Sequence, residues 1–307
     1  MQSHALNTIQ NRPADPSTTA APGAAFIRPH DYLRMPDGML AHWRFGRGPE
    51  VVLIHGWPLH AATFRRIVPK LAERFTLHLF DLPGTGHSLD WAGHIDLESH
   101  AETVRSAIDQ LGLSRYALLS HDSGGAVARL VAADDERLRG LILSGTEIPG
   151  HRPPLVREYS FLAKIPGSGA LIRAAMRRPS IRRSSVGFGG CFRDPSFLKG
   201  DFGDLFVRPF LESKRVYEMQ MRLVRDLDFA VIDRLTEAHA RIRAPVLCIW
   251  GSDDPFFPVP KARQMLKQFG GSTEFIEIPG AKLFVHEDHP DAFAAEASAF
   301  LSRCTWQ

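Results

Sequence analysis

Three stretches of this sequence carry side chains whose types and spacing suit covalent chemistry. In LLSHDSGGAVARL, Leu118 to Leu130, an apolar run ends in Ser120, His121, Asp122, Ser123 and a glycine pair, then takes up a helical period. Downstream, VLCIWGSDDPFFP sets Asp253 and Asp254 just past an apolar run, and IPGAKLFVHEDHP sets His286 in the loop after the next. A carboxylate is ionised at neutral pH and displaces a leaving group at saturated carbon, whereas serine needs a base and usually attacks acyl carbon. Nucleophile, acid and histidine in that order, each past a strand, is where open α/β sheets gather their sites.

A nucleophile raised on a sharp strand-to-helix turn needs small residues two positions before and two after it. Asp122 has Ser120 and Gly124 in those places; Ser123 has His121 before it, and Ser120 has Leu118 before and Asp122 after. The spacing favours Asp122. Two alternatives stay open at this point: Ser123 or Ser120 attacking as in a serine esterase or lactonase, and Asp122 merely capping the following helix. VVLIHGWP places the backbone N–H of Trp57 past an earlier strand, where it would join that of Ser123 in binding an oxyanion.

Elements must hold these groups, and the chain is long enough to supply them. Its 307 residues, 44% hydrophobic and 23% charged, fit a globular protein with one large core or a core bearing an insertion. A net charge of +3, dispersed over that length, argues against nucleic acid or an anionic membrane as partner. Cys191, Cys248 and Cys304 are irregularly spaced and read as buried, reduced side chains. No apolar run approaches the length of a membrane span, and the first residues lack a signal-peptide pattern, so the expected location is cytoplasmic.

Residues 1–25, rich in Pro, Thr and Ala, read as a flexible N-terminal arm. A hairpin is expected next, Phe26 to Arg34 and Leu40 to Phe45 about Met-Pro-Asp-Gly. Short apolar runs then alternate with helical patterns such as Ala62 to Arg74 and Leu97 to Leu111, which predicts a mostly parallel, doubly wound sheet covered on both faces. Between residues 149 and 228 the alternation stops and the text turns Arg-rich, Phe-rich and helical. That predicts a helical insertion after the sixth strand, carried by a core of residues 26–148 and 229–307.

Taken together, HGWP, DLPGTGHS, SHDSGG, WGSDDPFFP and VHEDHP resemble the α/β-hydrolase fold, in its epoxide hydrolase and haloalkane dehalogenase branch, over most of Phe26 to Leu301. The resemblance implies Asp122 as nucleophile, Asp254 as triad acid, His286 as base and residues 149–228 as a cap over the site. It implies an alkyl-enzyme ester on Asp122, hydrolysed by water that His286 activates, with the oxyanion on Trp57 and Ser123. Glu147, after LRGLILS, stands where some dehalogenases keep the acid and is the alternative to Asp254.

Departures bear on the substrate. Position 123 is Ser, where haloalkane dehalogenases carry Trp and fluoroacetate dehalogenases Arg, and residues 149–228 contain no Trp. Epoxide hydrolases use two cap tyrosines on the epoxide oxygen, and this segment holds two, Tyr159 and Tyr217. Epoxide hydrolysis to a diol is therefore the leading expectation, with haloalkane or haloacid dehalogenation second. A non-catalytic binding protein on a hydrolase fold is a further alternative. The expected partner is a small, largely apolar molecule. No cofactor is expected, and none of the spacings suits a metal: His286 and His289 are three apart, with Pro290 following. Asp253 reads as a turn former, Gly84-Thr85-Gly86 as a loop and the run Arg173 to Arg183 as a solvated helical face. The oligomeric state is not legible.

Overall fold

The computed structural model describes residues 23–306. Residues 1–22 of the expected arm lie outside the described residues, while Ala24–Phe26 form a 3-10 turn that buries Phe26.

Eight strands form one sheet: β1 (Asp31–Met35), β2 (Gly38–Phe45), β3 (Glu50–Ile54), β4 (Thr76–Phe80), β5 (Tyr116–His121), β6 (Leu138–Ser144), β7 (Val246–Gly251) and β8 (Thr273–Ile278). Their order across the sheet is β1-β2-β4-β3-β5-β6-β7-β8. β2 runs antiparallel to β1 and β4, and every later neighbour pair is parallel. Continuous apolar runs make this possible: β4, β5 and β7 are buried along their whole length, which suits strands covered on both faces. Trp43 on β2 and Trp250 on β7 are fully buried.

The hairpin turns at Pro36 and Asp37, and β1 starts later than the sequence reading had it, because residues 24–26 pack as the 3-10 turn. The helix expected over residues 62–74 is a 3-10 segment, Ala61–Arg66, followed by one short helix, Val68–Leu71. Leu97–Gln110 is helical, and Asp96 caps it by accepting Ser99 N–H at 2.8 Å.

Between β6 and β7 the chain is helical, with Pro154–Ala163, Ser168–Met176 and Lys214–Arg225 among its segments. The helix Phe229–Arg241 then leads back to β7. Among the described residues no helix is long and apolar enough to cross a membrane.

Candidate active site

Asp122 joins β5 to the helix Ser123–Ala132 at φ 50° and ψ −141°, a region that non-glycine residues rarely occupy and that costs of order 1–3 kcal/mol. The turn is fixed from both sides: Asp122 N–H donates to Ser144 O and Gly145 O at 3.1 and 2.9 Å, and Gly125 N–H donates to Asp122 O at 2.7 Å. Two glycines make room for it. A Cβ on Gly124 would lie 2.3 Å from His55 O, and one on Gly56 would lie 2.5 Å from Asp122 Cβ. The small-residue spacing is thus a steric requirement of a turn wedged against the end of β3.

In front of Asp122 lies a cavity of about 160 Å³, walled mainly by apolar side chains such as Leu155, Ile172, Met176, Phe188 and Phe257. Asp122, Ser123, Trp57, Glu147, Tyr159 and Leu283 also reach its wall. Burial drives the Asp122 carboxyl well above its ordinary range, and the Glu147 and Asp254 carboxyls push the same way; the nearby Ser123 and Trp57 N–H groups oppose them. The Trp57 N–H also donates to Ser123 Oγ at 2.9 Å, and its indole N–H to Gln220 O at 3.0 Å.

Glu147 follows β6. Thr146 Oγ1 donates to Glu147 Oε2 at 2.8 Å, and the buried Arg129 guanidinium lies 3.9 Å from the same oxygen. Burial raises the Glu147 carboxyl, and Arg129 pulls it back. Asp254 follows β7, where its Oδ1 accepts the N–H groups of Phe256 and Phe257 at 2.8 and 3.0 Å. Its Oδ2 is buried without a hydrogen-bond partner among the described residues, and burial pushes the carboxyl up to about 7.

Among the described residues His286 bonds none of these carboxyls and is not on the cavity wall. It sits in the short helix Val285–Asp288, fully buried, with Nε2 2.8 Å from Thr63 Oγ1 and no partner for Nδ1. Its ring packs on His121 and Phe64, with centroids 4.3 and 5.5 Å away. Burial, helped by Arg65 and Arg66, lowers it to about 3, so it is neutral. The next residue, Glu287, pairs with the buried Arg65 at 2.6 Å, which anchors this turn in the core. The structure thus does not bring the expected base, His286, to the cavity wall that holds Asp122. Five residues past β8, Leu283 reaches the cavity; three further on, the chain has turned into a helix facing the 3-10 segment Ala61–Arg66.

Leu283 was not singled out in the sequence, although its distance from the end of β8 is the signal that marks it. A point at the Cβ position of Gly145 lies 3.0 Å from Leu283 Cδ1 and 3.2 Å from Asp254 Oδ2. The leucine side chain thus occupies the neighbourhood of the unpartnered oxygen.

The histidines on the cavity wall are engaged elsewhere. His55 accepts Leu82 N–H at Nε2 and bonds Gly56 O through Nδ1. His151 is held between Phe256 O and Lys261 Nζ, and His100 bonds Pro83 O through Nε2. Cys191 also lines the cavity, its thiol driven well up by burial and by Asp122 and Asp254, so it stays protonated.

The two tyrosines part company. Tyr159 lines the cavity, but its hydroxyl donates to Val186 O at 2.7 Å. Tyr217 packs against Phe210 and beneath Arg173, lines a separate surface pocket and leaves its hydroxyl buried without a partner. A paired contact from Tyr159 and Tyr217 to one ligand is corrected accordingly: their helices turn the two hydroxyls to different places. The serines are no better placed as nucleophiles. Ser120 is fully buried and donates to Ile142 O at 3.2 Å, and among the described residues no histidine bonds either Ser120 or Ser123. Among the described residues no group of three or more His, Cys, Asp or Glu is arranged to hold a metal ion.

Residues 49–290 match the alpha/beta hydrolase fold family. Haloalkane dehalogenase 2 of Mycobacterium tuberculosis is 29% identical over 255 residues, 81% of this chain and 87% of the relative. The soluble epoxide hydrolase of a Corynebacterium species is 36% identical over 105 residues. That match spans 34% of this chain and 37% of the relative. Among solved structures, an alpha/beta hydrolase fold protein from Burkholderia ambifaria superposes with a TM-score of 0.73 at 25% identity, covering 89% of this chain and 97% of the other.

Proposed function

The chain belongs to the alpha/beta hydrolase fold family, and from that premise we propose that Asp122 is a nucleophile that forms an alkyl ester with a small, largely apolar electrophile. The observation that carries this reading is the carboxylate itself: it sits on a strained turn at the wall of an apolar cavity, where the nearby Ser123 and Trp57 N–H groups favour its charged form. Those donors would hold the oxyanion formed when water attacks the ester. The helical segment over residues 149–228 serves as the cap that shuts the cavity from bulk water.

An organohalide is the substrate class that fits best. Opening an epoxide requires a proton on the departing oxygen, and the tyrosine pair that would give it is not assembled. A halide leaves with the bonding pair and needs none. The Ser123 oxygen accepts from Trp57, which leaves the hydroxyl proton free to solvate the halide. The mycobacterial dehalogenase, similar along most of the chain, supports the same class.

The test is halide release from short bromoalkanes by the wild type and by Asp122→Asn. The reading requires release by the wild type and its loss in the variant. Equal release by both proteins, or ester cleavage labelled at serine by an organophosphate, overturns it.

A further inference from the structure

We infer that Leu283 fills the place of the water-activating base, so that the ester on Asp122 accumulates and its hydrolysis, rather than its formation, limits turnover. The inference deepens the proposed function and rests on Asp122 being the nucleophile.

Three observations carry it. First, Asp254 lies at the end of β7 with one oxygen bonded to two backbone N–H groups and the other buried and unmatched. A buried carboxylate oxygen without a donor is costly, and proteins satisfy nearly all such atoms. Second, the side chain in that oxygen's neighbourhood is Leu283, which also lines the cavity that Asp122 faces. Third, the bonds that nearby histidines make go to other groups: His286 Nε2 to Thr63, its Nδ1 having none, His55 to Leu82 and Gly56, His151 to Phe256 and Lys261. Among the described residues, no imidazole bonds Asp122, Glu147 or Asp254.

The two half-reactions differ in what they ask of this site. In the first, an Asp122 oxygen bonds to carbon, the carbon–halogen bond breaks, and the halide takes the electron pair. No proton moves. In the second, a water oxygen bonds to the ester carbonyl carbon and must lose a proton; the bond to the alkoxy oxygen then breaks, and the alcohol leaves carrying a proton. The aliphatic Leu283 can neither accept that proton nor return it. General base catalysis typically contributes about 10²–10⁴-fold, so its loss falls on the second step alone.

The experiment is rapid-quench analysis of the full chain with 1-bromobutane, halide and intact mass being read together. The expected result is a burst of one bromide per chain, a protein heavier by one butyl group mapping to Asp122, and a slow later phase. Leu283→His should shrink the burst and speed the later phase by about 10²-fold or more. Should that variant fail to fold, the wild-type burst decides alone. Linear bromide release over many turnovers without adduct overturns the inference while Asp122→Asn still tests the nucleophile. No bromide and no adduct from wild type or folded Leu283→His sinks the nucleophile reading, and this inference with it.

Discussion

His286 Nε2 lies 2.8 Å from Thr63 Oγ1, and this bond ties the loop after β8 to the 3-10 segment after β3. The histidine therefore has a structural duty, and it does not line the cavity. His286→Gln should change halide release by no more than about threefold, against the 10²–10⁴-fold expected of a base. The cost should appear as stability, about 1 kcal/mol for a lost buried hydrogen bond. Urea titration beside the kinetics separates the two.

Ester formation should speed up as pH rises. The Asp122 carboxyl must be ionised to attack, and burial, Glu147 and Asp254 displace its ionisation upward. Removing the negative charge in Glu147→Gln should move the midpoint of the burst-rate profile to lower pH. A midpoint that stays in place would detach Glu147 from Asp122.

Folding stability should fall as pH rises from about 4 to about 7. Folded Asp254 holds its proton up to about 7, against an ordinary value of 3.8, so in that window the folded state binds more protons than the unfolded one. Each unit of such a shift is worth about 1.4 kcal/mol, which makes the whole effect of the order of a few kcal/mol. Asp254→Asn should melt several degrees higher than wild type above pH 7, with the gap closing towards pH 4. Thermal scans across that range give the answer.

Neither tyrosine should behave as a proton donor to substrate. Tyr217→Phe deletes a buried hydroxyl that has no partner and should leave the melting temperature unchanged or raised. Tyr159→Phe frees the Val186 carbonyl and should cost about 0.5–1.5 kcal/mol. Both variants should keep halide release within about twofold. A tenfold loss in either would restore the epoxide chemistry.

The alternation of apolar runs and helical periods makes the parallel sheet legible in the sequence, because strands buried on both faces leave continuous apolar text. The turn at Asp122 was legible for a related reason: only Gly fits at 124 against the His55 carbonyl. Such signals are backbone constraints written in one or two positions. The facing of a side chain in a loop or on a cap helix is not written that way. His286 was three residues past the position that reaches the cavity, and Tyr217 lies on the helix Lys214–Arg225, whose facing is set by Phe210 and its other neighbours.

The Trp57 indole bonded to Gln220 O makes one residue answer to two masters. Its backbone N–H bonds Ser123 Oγ beside Asp122, while its ring is fastened to the helix Lys214–Arg225. The position of that helix is thereby tied to the position of the Trp57 N–H. One tryptophan thus links the helical segment to the turn that carries Asp122, and a change in either is felt by the other.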